Sequence, residues 1–147
     1  MSEMKNRVSR CVSFSFGCCA LVIHAAMADA PKSQWEGAYT KAQAQRGESL
    51  YAEHCTVCHG ADLLGGEMAP PLIGGQFHAN WNELSLGDLF ERIRTSMPLN
   101  APGTLSRQQC ADILSYMLSK DGSPPGEAEL PPQTESLKET KFLGSKP

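Results

Sequence analysis

Apolar positions recur at helical spacing in three stretches of the chain. Leu86, Leu89, Phe90 and Ile93 fall at i, i+3, i+4 and i+7, and Cys110, Ile113, Leu114 and Met117 repeat that pattern. A third stretch, "QAQRGESLYAEHC", places Leu50, Tyr51 and His54 on one side. Each run opens with a hydroxyl residue, Thr40, Ser85 or Ser106, followed three residues later by Gln43, Asp88 or Gln109. That spacing lets the two side chains satisfy the first free N–H groups of a helix. Lys120 near the end of the last run, then Gly122 and Pro124, supply stop signals. The pattern predicts three short amphipathic helices.

Between the first two runs lies "GADLLGGEMAPPLIGGQFHANWN", rich in Gly and Pro and without the alternation of a strand. It is expected to be a long loop. A connection of that length in a small domain needs something other than secondary structure to pack it, and a large flat cofactor would serve. After residue 125 the sequence is Pro-rich and charged. It predicts an extended tail over 126–147, with Leu130, Leu137 and Phe142 as surface anchors.

The first 28 residues differ from the rest. Lys5, Arg7 and Arg10 precede an apolar run that ends in Ala26-Met27-Ala28, the form of a secretory signal peptide cut after Ala28. An uncleaved anchor is the alternative, but the run is short for a membrane span and is interrupted by His24. The domain organisation read from the 147 residues is a signal peptide over 1–28, one domain over 29–125 and the tail over 126–147. Cleavage removes three of the 13 basic residues and one of the 16 acidic ones, so the charge passes from -3 to -5. An acidic protein without a basic cluster is a poor candidate for nucleic acid. Cys55, Cys58 and Cys110 remain, an odd number that cannot all pair within one chain.

Cys55, Cys58 and His59 stand in "CTVCH". A structural zinc ion needs four closed ligands, and downstream the chain offers only Cys110 and His78. A thioredoxin-like switch places its cysteine pair at the start of a helix in a βαβ setting, whereas this pair follows a helix. A haem uses all three residues. Thiols at this spacing reach its two vinyl groups and form thioethers, and the adjacent imidazole binds the iron. Met97, at the predicted exit of the second helix and followed by Pro98, offers a thioether as second axial ligand. Met68 and Met117 are expected to serve packing. His54 and His78 read as surface or loop residues, with His78 a competitor of Met97 for the iron.

Three segments, "RGESLYAEHCTVCHGADLLGGEMAPPLIG", "SLGDLFERIRTSMP" and "PGTLSRQQCADILSYML", together resemble the class I c-type cytochromes over about residues 35 to 125. Within that family the chain is similar to small monohaem proteins and haem domains associated with PQQ-dependent alcohol dehydrogenases. The resemblance implies an all-α cytochrome c fold, helices and long loops wrapped around one haem c. Cys55 and Cys58 match its thioether cysteines, His59 the proximal ligand and Met97 the distal one. Pro70 matches the proline whose carbonyl accepts the proximal imidazole N–H. Trp81 matches an indole donor to a haem propionate, or else packs in the core. Gly47, Tyr51 and Tyr116 match positions where the terminal helices cross. Cys110 departs from the pattern and is expected as a buried free thiol, with an intermolecular disulfide as the alternative.

These expectations describe a monomeric, periplasmic one-electron carrier without substrate chemistry of its own. It would work between a donor such as a PQQ-dependent dehydrogenase and a terminal oxidase or another cytochrome in a respiratory chain. The alternatives are a haem subunit of such a dehydrogenase complex and an open-site haem sensor of a gas.

Overall fold

The three predicted helices form where their caps place them. In a computed structural model, which describes residues 32–147, they are α1 (Lys41–His54), α4 (Leu86–Ser96) and α5 (Arg107–Lys120). Ser85 and Ser106 complete reciprocal capping boxes with Asp88 and Gln109. Thr40 accepts from the N–H of Gln43, but the Gln43 side chain does not turn back to complete the box. Three shorter helices join them: α2 (Thr56–His59), α3 (Gly74–Trp81) and α6 (Thr134–Leu137). A 3₁₀ turn spans Gln34–Glu36. Among the described residues there is no strand, only two isolated bridges from Lys141 to Ser33 and Ser85. The expected signal peptide lies outside the described residues.

α1 packs across α5, and Gly47 sets how closely they meet. A Cβ at Gly47 would lie 1.8 Å from the carbonyl oxygen of Asp112 and 2.9 Å from Cβ of Tyr116. Tyr51 and Tyr116 meet across this crossing with ring centroids 5.3 Å apart. Arg46 pairs with Asp112 at 3.0 Å on its rim. Leu86, Leu89, Phe90 and Ile93 of α4 and Cys110, Ile113, Leu114 and Met117 of α5 are all buried in one core. This is the all-α arrangement that the sequence predicts.

Two segments depart from expectation. The glycine-rich stretch after the motif is not loop throughout, because it contains α3, which is held from outside rather than by its own apolar stripe. Only Phe77 of α3 is buried, while Asp121 at the end of α5 accepts from the Gly74 N–H at 3.1 Å and from His78. His78 is therefore a half-buried helical residue, not a free surface one. The tail over 126–147 is also no surface ornament: Leu130, Leu137 and Phe142 are at most 1% exposed. Its peptide groups are sewn to the front of the chain by two buried glutamines. Gln43 donates to Leu130 O at 2.9 Å and accepts from its N–H at 2.7 Å. Gln34 does the same with Leu143 at 2.6 and 2.9 Å. Each amide side chain presents a donor and an acceptor side by side, which matches the N–H and C=O that one residue without a ladder partner leaves to be satisfied.

α6 lies on α4. The Thr134 hydroxyl donates to Glu91, which also holds Arg94 at 2.6 Å. Hydrogen bonds from Arg94 first, then Thr134, hold the Glu91 carboxyl at about 2, below its usual 4.5.

Gly47→Ala is expected to destabilise the protein by about 3 kcal/mol or more, since backbone must move to admit the methyl group; urea unfolding measures it. A second outcome follows from Glu91. A carboxylate with a depressed folded pKa adds stability that is fully present above the unfolded value. That stability is lost as the pH falls from about 4.5 through about 2. Glu91→Gln should therefore lower the melting temperature at neutral pH and flatten its decline across that window.

Candidate functional site

Cys55 ends α1 by donating its N–H to Tyr51 O at 2.9 Å, and the chain turns at once into α2. His59 donates its N–H to Cys55 O at 3.0 Å, so the motif forms one compact turn on the end of α1. Gly60 stops it with φ +77 and ψ 156, a conformation that excludes a side chain. The Tyr51 hydroxyl, buried at the helix crossing, donates to Gly60 O at 2.8 Å and ties the turn to the core.

His59 is buried, and its Nδ1 lies 2.9 Å from the carbonyl oxygen of Pro70. A carbonyl only accepts, so Nδ1 carries the proton and the Nε2 lone pair is left to act as a ligand. The loop between them brings this about. Gly65 donates its N–H to His59 O at 2.9 Å, and Leu72 donates to Leu63 O at 2.8 Å. At Gly65, φ is +74 and a Cβ would lie 2.6 Å from the carbonyl carbon of Pro70. Glycine is thus required for Pro70 to lie against this turn. The sequence reading missed Gly65, although a Gly-Gly pair shortly before two prolines is a turn signal of this kind.

Met97 is the residue that follows α4, half-buried, with its N–H still bonded to Ile93 O at 3.0 Å. Pro98 then carries the chain away. Trp81 ends α3, half-buried beside Phe77, with ring centroids 6.1 Å apart. Its indole N–H forms no hydrogen bond among the described residues. Met117 is buried as expected, whereas Met68, also expected to pack, is 72% exposed in a shallow surface groove with Leu64, Pro70 and Pro71. Cys55, Cys58 and Cys110 are free thiols, and Cys110 is fully buried on α5. Burial pushes the Cys55 thiol up to about 11, with Cys110 and Cys58 nearby adding to the shift. Burial likewise raises Cys110 to about 11. Both are protonated at neutral pH. Among the described residues no three of His, Cys, Asp and Glu converge as ligands of a single ion.

This turn carries two thiols and an oriented imidazole on an all-α frame, the chemistry that a covalently held haem requires. The sequence profile of the family described as "Cytochrome C oxidase, cbb3-type, subunit III" matches residues 42–117, and the chain belongs to that family within the class I c-type cytochromes. It is similar to a thiosulfate dehydrogenase of Stutzerimonas stutzeri (strain A1501), 35% identical over 85 residues. That match covers 52% of this chain and 27% of the relative, so the chain spans well under half of that protein. The crystal structure of the sulfane dehydrogenase SoxCD from Paracoccus pantotrophus matches over 55% of this chain and 44% of that chain, with a TM-score of 0.49 and 25% identity.

Membership implies a covalently bound haem c with its iron and electron transfer as the activity. The residues present fit that group. The thiols are not locked in a disulfide, and the hydrogen bond to Pro70 leaves His59 with the one tautomer that binds iron through Nε2.

Gly65→Ala should push Pro70 away from His59 and weaken that bond. By proton NMR, the His59 ring N–H should exchange slowly with solvent in the wild type and at least about tenfold faster in the variant, as opening of the bond becomes easier.

Proposed function

We propose that the protein is an exported, periplasmic one-electron carrier with a single haem c, attached through Cys55 and Cys58 and ligated by His59 and Met97. The observation that carries the reading is the His59 to Pro70 hydrogen bond at 2.9 Å, which orients a buried imidazole and raises its basicity as a ligand. When bound, the haem supplies a one-electron couple between ferric and ferrous iron.

The chain's own residues hold that couple in a fixed setting. Cys55 and Cys58 fix the haem's position relative to the end of α1. Tyr51 keeps the turn in place through Gly60. Met97 would hold the iron with a soft thioether, a ligand that favours the ferrous state and raises the potential. Trp81 offers its indole N–H to a propionate. With His59 and Met97 both holding the iron, neither would have to leave for an electron to pass, and external molecules would be kept from it.

Transfer takes place at the motif surface, where Val57 is 84% exposed. From Gly47 to Glu91 the chain contains no Lys or Arg but has Glu48, Glu53, Asp62 and Glu67 exposed around the motif. A partner with a basic rim matches that face and gains in association rate. The donor is read as a dehydrogenase, with a terminal oxidase or another cytochrome as acceptor. A PQQ-dependent enzyme is one candidate donor. The likeness to a thiosulfate dehydrogenase favours a second, an oxidoreductase of inorganic sulfur compounds, in which case the protein serves as that enzyme's haem partner.

Optical spectra of the haem-loaded protein, with and without carbon monoxide, test the site. The expected result is a reduced c-type spectrum, a ferric methionine-to-iron charge-transfer band and no response to carbon monoxide. Met97→Ala should keep the haem attached, lower the potential and make the ferrous protein bind carbon monoxide. An unaltered spectrum and potential would assign the distal position to another residue, and carbon monoxide uptake by the wild type would favour a gas sensor.

A further inference from the structure

The family match ends at residue 117, yet the chain continues into a segment that buries Leu130, Leu137 and Phe142 in the same core. This segment grips both elements that carry the distal candidates. It begins at Asp121, side chain 4% exposed, whose carboxylate takes the Nε2 of His78 at 2.8 and 2.9 Å and the Gly74 N–H at 3.1 Å. It returns to α3 at its far end. Phe142, fully buried, meets Phe77 edge to face at 5.4 Å and His78 at 5.7 Å, and the Gly144 N–H donates to Asn82 at 2.9 Å. α3, which ends in Trp81, is thus held at its start, middle and end.

The same segment fixes α4, the helix that ends at Met97. The Leu86 N–H donates to Thr140 O at 2.8 Å, and Phe142 exchanges backbone bonds with Glu83 and Leu84 at 2.9 and 2.8 Å. A Cβ on Gly87 would lie 3.0 Å from Thr134 O, so α4 and α6 are in close contact. The Thr134 hydroxyl reaches Glu91 one turn further on. The opposite edge of the segment is pinned to the front of the chain, by Gln43 on α1 and by Gln34 and Trp35 ahead of it. α1 in turn leads directly into Cys55. The segment therefore ties the helix that leads into the motif to both helices that bear Met97 and Trp81.

We propose that residues 121–147 are a brace that sets the distal half of the haem site, with Phe142 as its positioning residue. A thioether is a weak ligand, and how firmly it stays on iron depends on how rigidly the chain presents it. The brace restricts α3 and α4 so that Met97 stays in place, and loosening it populates an open site without releasing the haem. The proposal rests on the reading of Met97 as the distal ligand.

The test uses the full-length, haem-loaded protein with Phe142→Ala and, as a milder loosening should that variant fold poorly, Gln34→Ala. Both remove brace contacts and leave Cys55, Cys58, His59 and Met97 untouched. Ala111→Gly, a buried change in the interior of α5, serves as a control that lowers stability while leaving in place every hydrogen bond and ring contact named above for the brace. The expected result for the brace variants is a weaker methionine charge-transfer band, a lower potential and carbon monoxide binding at least about tenfold faster, since binding scales with the open fraction. Haem should stay covalently attached, and Ala111→Gly should lower the melting temperature without these changes. If the wild type already binds carbon monoxide, the reading of Met97 fails and the brace falls with it. If the wild type is closed and both brace variants are equally closed, or if Ala111→Gly shifts the potential as far at matched loss of stability, the brace alone is overturned.

Discussion

The contact on which the rest depends is the crossing of α1 over α5 at Gly47. Because no side chain separates the two helices there, the carbonyl of Asp112 comes within the space a methyl group would fill. The close approach fixes the direction in which α1 leaves the core, and therefore where Cys55 and the turn after it are delivered. Tyr51 passes that placement on twice, through its ring to Tyr116 and through its hydroxyl to Gly60. The oriented imidazole of His59 stands at the end of this chain of constraints.

A second set of constraints approaches from the other side. α4 leans on α5 through its apolar face and on α6 through its polar one, and ends where Pro98 forbids another turn. α3 has little apolar surface of its own and is kept in place by Asp121, Phe142 and Gly144. In the proposed site, the half around His59 is built by local sequence, and the half around Met97 and Trp81 largely by contacts from far along the chain.

That division also marks what could be read in the sequence. The hydroxyl caps of α1, α4 and α5, their apolar stripes and the spacing of Cys55, Cys58 and His59 are local patterns, and they form as read. Pro70 beside His59 came only through family resemblance, since nothing local announces which carbonyl an imidazole will meet. The role of Gly65 escaped because the approach it permits involves Pro70 five residues on, in a loop without periodicity. α3 was taken for loop because its partners lie elsewhere in the chain. The tail was misjudged for a related reason: its abundant Pro and charge resemble a solvated linker, while its three apolar anchors are too widely spaced to form a stripe. Gln34 gave no signal, and Gln43 gave only that of a helix start, because a side chain that pairs with a peptide group follows no period. Met68 was misplaced in the opposite sense, an apolar residue assigned to the interior that lies in water.

The two glutamines carry a consequence for the order in which the molecule is completed. Gln34 and Leu143 are 109 residues apart in the chain, and Gln43 and Leu130 are 87 apart. During synthesis both amides are exposed long before their partners exist, and closing such long loops has a large entropic cost before any contact is returned. The caps and the crossing of α1 with α5 need only the residues up to 120 and can form first. The ends of the described chain therefore join last, and a nascent protein passes through a stage in which α1, α4 and α5 are in place while its circumference is still open.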